Sequence, residues 1–237
     1  MSSTTILAEV SAVHNLTFDV KEISFNYLQP KKIIFKAGHF ILVKVDDGQS
    51  PSIKRAYSIA SNPSITDGLA LCIKIVPGGR GSTYLFNLKP GDKVKLLGPF
   101  GNFLFNPPKN NSILLAGTGV GIAPLKSMLH HLTLKDPNRK TNFYFGVRYL
   151  EDLFYEKEIK EFCHQMPNLS CAIAISRPIE NCPYQKGRLT EILEKDNLEN
   201  PQNCEAYLCG SPDVVESLIE KVKKLGVPNK QIHWEKM

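Results

Sequence analysis

No two cysteines of this 237-residue chain stand in a C-x2-C pair, and none of the six (Cys72, Cys163, Cys171, Cys182, Cys204 and Cys209) fits C-x4-C-x2-C spacing. Neither a zinc ribbon nor an intrinsic 2Fe-2S cluster is therefore expected, and no metal is assigned. An even cysteine count without a secretion signal reads as reduced cytosolic thiols, not as a disulfide framework. The first residues carry no basic n-region and meet Glu9 before an apolar run develops, so secretion is not expected. The most apolar stretch, Ile113 to Leu125, is too short and too glycine-rich to cross a bilayer, which takes about 20 apolar residues. No membrane span is expected, and the chain is placed in the cytoplasm. The six histidines form no H-E-x-x-H pair and no serine sits in a G-x-S-x-G elbow, which removes zincin and α/β-hydrolase chemistry.

What is present is a balanced globular composition, with 42% hydrophobic and 22% charged residues, which excludes disorder and fibrous repeats. The length suits two domains of about 100 to 130 residues, each with its own core. The 29 Lys and Arg outnumber the 23 Asp and Glu, for a net charge of +6 and a pI near 8.9. That balance favours an anionic ligand or partner. Nucleic acid is not expected, because the cations are dispersed and no RNP, KH or zinc-finger pattern accompanies them.

Hydrophobic patterning divides the chain. Up to about residue 105, short alternating runs at Ile6 to Val13, Phe40 to Val45 and Leu69 to Ile75 are separated by turn residues, which predicts a small antiparallel β-barrel. Asn106-Pro-Pro-Lys-Asn-Asn111 breaks the pattern, and the domains are drawn at 1–108 and 109–237. Beyond it, compact apolar runs at Ser112 to Ala116, Asn142 to Val147, Ser170 to Ile175 and Ala206 to Cys209 read as strands. Helical spacing covers Pro124 to Leu134, Asp152 to His164 and Pro212 to Leu225, the last with Val215, Leu218, Ile219 and Val222 on one face. Strands alternating with helices predict an α/β domain around a parallel sheet.

Two motifs carry chemistry. In the second half, Ser112-Ile-Leu-Leu-Ala-Gly117-Thr118-Gly119-Val-Gly121-Ile-Ala-Pro124 is a strand running through glycines into a helix. Such a turn brings amides and a helix N-terminus toward a phosphate, although glycines alone also make an ordinary tight turn. Ile122 stands where the dinucleotide fingerprint G-x-G-x-x-G needs its last glycine, which disfavours a standard Rossmann site. In the first half, Arg55-Ala56-Tyr57-Ser58 lies on a strand, and Val76-Pro-Gly78-Gly79-Arg80-Gly81-Ser82-Thr-Tyr84 lies at a helix start. An Arg for a diphosphate, a Tyr for stacking and a glycine-rich turn together describe a nucleotide-like ligand; each piece alone also fits an edge strand and a plain turn.

The set, in this order, resembles the ferredoxin-NADP reductase superfamily of flavoproteins over nearly the whole chain. The resemblance implies that Arg55, Ala56, Tyr57 and Ser58 hold the flavin, with Arg55 on the diphosphate, Tyr57 stacked on the ring and Ser58 near N5. Ile73, Lys74 and Ile75 would run their backbone beside the flavin, and Gly79, Arg80, Gly81 and Ser82 would form a second diphosphate loop, which implies FAD. Gly117, Thr118, Gly119, Gly121 and Pro124, with Arg148, would hold the nicotinamide nucleotide. Tyr207-Leu-Cys209-Gly210 is similar to the family's C-G motif, in which Cys209 packs near the nicotinamide. Glu235 would complete a Ser58, Cys209, Glu235 set, and Met237 stands where plant-type members end in a tyrosine that covers the flavin.

Ser176 and Arg177, with Lys186 and Arg188 downstream, put cations and a hydroxyl where a 2'-phosphate would be read, so NADPH is favoured over NADH. The implied activity is hydride transfer from NAD(P)H to bound FAD, followed by electron transfer to an acidic redox protein such as a ferredoxin or flavodoxin, or to another acceptor. A free-flavin reductase and an electron-transfer subunit of a larger complex are the alternatives.

Overall fold

A computed structural model describes residues 4–194 and 198–237. Its internal contacts gather into two units, Met1–Phe105 with Lys126–His131, and Asn106–Leu125 with Leu132–Met237.

The first unit is a curled antiparallel sheet of six strands: β1 (Thr4–Asn15), β2 (Val20–Gln29), β3 (Phe40–Val45), β4 (Ile53–Ser58), β5 (Gly68–Lys74) and β6 (Lys93–Phe100). Their order is β4-β3-β6-β1-β2-β5. Period-two patterning drives the curl, because Ile6, Ala8 and Val10 of β1 and Ile23, Phe25 and Tyr27 of β2 all turn into one core with Val43, Leu71, Ile73 and Leu96. The two edge strands meet where Ile59, just beyond β4, bridges Leu71 of β5 and Ala60 N–H donates to the Ala70 carbonyl at 2.9 Å. Further along, β4 and β5 form no ladder, so an open seam runs between residues 53–58 and 72–74. A short helix, α1 (Arg80–Phe86), follows β5 and buries Leu85. The 126–131 segment is fastened within this unit by Lys126 Nζ on Glu22 Oε2 at 2.8 Å and by Ser127 Oγ donating to the Ser61 carbonyl at 2.8 Å.

The second unit is a parallel sheet of β7 (Ser112–Thr118), β8 (Thr141–Val147), β9 (Leu169–Ile175), β10 (Gln185–Lys186), β11 (Cys204–Gly210) and β12 (Ile232–Lys236), in the order β10-β9-β8-β7-β11-β12. Helices α2 (Ile122–Lys135), α3 (Glu156–Gln165), α4 (Leu189–Glu194) and α5 (Pro212–Lys224) connect them. Strands covered on both faces need continuous apolar runs, which is what Ile113 to Ala116 and Ala206 to Cys209 supply. The apolar stripe of α5 is buried through Val215, Leu218 and Val222.

Two expectations are corrected. The helix predicted from Asp152 begins only at Glu156: Leu150–Asp152 is a 3-10 turn whose Asp152 carboxylate accepts from the Tyr149 amide at 3.0 Å, and Tyr155 enters α3 in the left-handed region, φ 60°. Burial of Phe154 and Tyr155 holds the chain in that path against helical propensity. The sheet also gains an outer strand, β12, that residue patterning did not predict.

Candidate functional site

In the first unit the two predicted motifs come together at the start of α1. An ideal Cβ on Gly81 would lie 2.6 Å from Arg55 Cγ and 3.1 Å from Tyr57 Oη, so only glycine lets the β4 side chains rest on this turn. Helix α1 has Gly79 as its N-cap and no side-chain cap, which leaves first-turn amides for a ligand to use. Arg55 and Ala56 are exposed on the unpaired edge of β4, Tyr57 is half-buried, and Ser58 is buried beside Phe40. Burial pushes the Tyr57 phenol up to about 12, against the pull of Arg55, so it is a neutral ring at physiological pH.

Other members of the set are already engaged. Arg80 forks onto Asp47, Nε to Oδ2 at 2.9 Å and Nη2 to Oδ1 at 2.8 Å, and Nη1 also donates to the Pro51 carbonyl at 3.1 Å. That hydrogen-bonded pair holds the Asp47 carboxyl down to about 2. The Ser82 hydroxyl accepts from Val76 N–H at 3.0 Å and donates to the Gly79 carbonyl at 3.0 Å, so it shapes the loop. Ile73 is core, Lys74 pairs with Asp19 at 2.9 Å, and the Ile75 amide donates to the Asp19 carbonyl. Asp47 is a partner that sequence reasoning missed: it lies 33 residues from Arg80, and only the Asp46-Asp47-Gly48 turn signal marked the hairpin that delivers it. An open groove of about 560 Å³ beside α1, lined by Asp47, Arg80, Thr83, Tyr84 and Asp92 among others, shares only Arg80 with the predicted set.

In the second unit, sheet order reverses direction between β7 and β11, the position where open α/β sheets receive ligands at the carboxyl ends of their strands. The glycine motif and the C-G motif occupy those two ends: Gly117 is in register with Cys209, and the strands continue into Gly119–Gly121, a 3-10 turn, and Ser211. A Cβ on Gly121 would stand 2.6 Å from the Cys209 carbonyl oxygen, whereas Gly119, with φ +54°, faces open space. Gly117 and Gly121 thus make the close packing and Gly119, in the left-handed region, makes the turn. Pro124 is the third residue of α2, where a missing N–H leaves no helical bond unmade. The side chain of Thr118 crowds Gly210, its Oγ1 lying 2.7 Å from where a Cβ would be.

Cys209 is fully buried and in register with Glu235 of β12. Burial pushes its thiol well up, the Glu235 charge adds to that, and a hydrogen bond involving the Gly210 backbone opposes it. A thiol kept protonated is a packing group and not a nucleophile. Met237 is half-exposed, and its amide donates to the Gly210 carbonyl at 2.9 Å.

At the neighbouring strand ends, pairing continues past β8 and β9. The Ser176 amide donates to the Val147 carbonyl at 3.1 Å, the Arg177 amide to the Arg148 carbonyl at 2.8 Å, and the Gly187 amide to the Ile175 carbonyl at 3.0 Å. Arg148, Arg177 and Arg188 are therefore all delivered to this corner. Arg177 Nη1 donates to Tyr149 Oη at 2.8 Å, a ring partner with no sequence signal. The nearby acids Asp152 and Glu191 accept from the backbone amides of Tyr149 and Arg188 at 3.0 and 2.9 Å. Ser58 lies in the first unit, and Cys209 with Glu235 in the second.

Two family models match the chain, one in each half. Residues 7–105 match the model of an oxidoreductase FAD-binding domain, and residues 115–220 that of an oxidoreductase NAD-binding domain. The chain is 29% identical to the reductase component of propane 2-monooxygenase from Gordonia, over 98% of this chain and 67% of that protein. It is 33% identical to one subunit of the Na(+)-translocating NADH-quinone reductase of Neisseria meningitidis, over 80% of this chain and 49% of that protein, so it spans about half of that relative. Among solved structures, a cytochrome P450 reductase from Amycolatopsis superposes with a TM-score of 0.89 at 25% identity, covering 99% of this chain and 70% of that one. With an FAD-binding domain and an NAD-binding domain in that order, each on its expected sheet, the chain belongs to the ferredoxin-NADP reductase superfamily of flavoprotein oxidoreductases.

Proposed function

We propose that this protein is an NAD(P)H-dependent flavoprotein reductase that prefers NADPH and passes electrons to an acidic redox protein such as a ferredoxin or flavodoxin. The observation that carries the reading is the contact of Gly81 with Arg55 and Tyr57, a cradle that a Cβ would fill. Bound FAD would supply the hydride and single-electron chemistry that no side chain offers. Arg55 and the first-turn amides of α1 hold the diphosphate, and Tyr57 gives the ring a neutral stacking surface. Ser58 offers a hydroxyl beside that ring, and the backbone of 73–75 lines the seam. Gly119 lets the turn amides and the N-terminus of α2 take the nicotinamide nucleotide's diphosphate. Cys209, Gly210 and Glu235 orient the nicotinamide, and no side chain serves as a general base.

The NADPH preference rests on Arg148, Ser176, Arg177 and Arg188 meeting at one corner where the acids already accept backbone hydrogen bonds. The names of the Gordonia and Amycolatopsis relatives, both reductases of oxygenase systems, support a protein acceptor. The cytoplasm is the proposed compartment; among the described residues no helix is long and apolar enough to cross a membrane. Steady-state reduction of a small dye tests the nucleotide assignment: kcat/KM should be higher with NADPH than with NADH, and Arg177→Ala should lower the NADPH value about tenfold or more. An NADH preference that Arg177→Ala leaves unchanged overturns the NADPH assignment while leaving the flavin site untouched.

A further inference from the structure

We propose that Cys163 and Cys171 form a redox-active dithiol, oxidised to a disulfide by small disulfides of the glutathione type and reopened by thiols. The proposal does not rest on the flavin reading. Cys163 sits on the last turn of α3 and Cys171 on β9, and the two sulfurs lie 2.6 Å apart although the residues belong to different elements. A covalent S–S bond of about 2.05 Å is therefore within reach of a small side-chain adjustment, without the backbone movement that distant cysteines require. Both side chains are half-buried, so a small disulfide has access that the buried Cys72, Cys204 and Cys209 deny. The helix is seated by Ile159 and Phe162, its buried residues, so the thiols are not needed to fill the core. Neither cysteine belongs to the flavin or nucleotide set.

The exchange balances as follows. Cys163 Sγ, as thiolate, attacks one sulfur of the small disulfide; the S–S bond breaks, a mixed disulfide forms and one small thiolate leaves. Cys171 then gives its proton to solvent and attacks the Cys163 sulfur, expelling the second small thiolate. Two protein thiols lose two electrons and two protons, and one disulfide becomes two small thiols. The order follows from surroundings: burial and the neighbouring Cys163 push the Cys171 thiol up, which makes it the resolving group.

The test is redox equilibration of the holoprotein with oxidised and reduced glutathione, followed by acid quench, alkylation in denaturant, and peptide mapping. Free thiols should fall from six to four as the oxidised form dominates, with one linked peptide joining residues 163 and 171, and dithiothreitol should restore all six. Cys171→Ser should instead trap glutathione on Cys163, and Cys163→Ser should yield no linked peptide. Six thiols retained under oxidising conditions, a link involving any other cysteine, or glutathione left on wild-type Cys163 as a stable adduct would each overturn the proposal.

Discussion

Cys209 and Glu235 lie opposite one another in the register of β11 with β12, at the strand ends beside the glycine turn. The thiol is buried and kept protonated, and the Glu235 charge reinforces that state, so Cys209 is no nucleophile and, in the proposed function, serves to fix geometry. Replacing Cys209 with Ala should slow the limiting rate of flavin reduction more than it weakens nucleotide binding, because misplacing the nicotinamide affects the reacting geometry first. Stopped-flow reduction at saturating NADPH checks this, and an unaltered limiting rate would reduce Cys209 to core packing.

Arg55 is exposed on an edge strand, leans on Gly81 and spends one guanidinium N–H on the Lys54 carbonyl at 3.1 Å, so in the proposed site its remaining donors would serve the diphosphate. Arg55→Ala should weaken FAD binding by about 1.5 to 3 kcal/mol, the usual worth of a charge-assisted contact. Calorimetric titration of apoprotein with FAD measures it. Equal affinity in the variant removes Arg55 from the site.

The motifs were legible because their physics is local. A continuous apolar run ending in glycines and a helix start could be read as β7 and α2, and Arg55 to Ser58 could be placed on a strand. The unread parts depend on distant partners. Ile232-His-Trp234-Glu alternates apolar and polar residues over too few positions to stand out, and it becomes β12 through parallel pairing with Ala206 to Gly210. The start of α3 depends on burial of Phe154 and Tyr155, which overrides helical spacing. The Arg80 fork onto Asp47 and the Arg177 contact with Tyr149 join residues 33 and 28 positions apart, so no window of sequence contains them.

The exposed Lys31, Lys32, Lys36 and Lys54 belong to the first unit, while the Arg80 charge is neutralised by Asp47. An acidic acceptor should therefore be steered by the lysines and not by Arg80. Reduction of an acidic iron-sulfur protein should fall with rising ionic strength, as screening shortens to about 8 to 10 Å, and should fall further in a Lys31, Lys32, Lys36 triple-alanine variant. Reduction of a neutral dye should not change. A salt-insensitive protein reaction contradicts this steering.

His130 is neutral in the fold: burial, then the charge of Lys126, lowers its pKa to about 4, with Glu22 opposing. The unfolded chain takes up the proton near the ordinary value of about 6.5. Stability contributed by neutral His130 is thus complete above that pH and declines as pH falls toward 4, by at most about 1.4 kcal/mol per pH unit. Thermal melts should show a steeper loss between these pH values for wild type than for His130→Gln. Parallel profiles would remove His130 as the cause.

The central claim is that the first unit holds FAD that NADPH reduces. The direct measurement is the anaerobic absorbance spectrum of purified protein reconstituted with FAD, titrated with NADPH, with the cofactor identified after heat release. The account predicts flavin bands that bleach stoichiometrically with nucleotide and FAD in the supernatant. A protein that stays colourless with excess FAD, or whose bands do not bleach with NADPH or NADH, would contradict it.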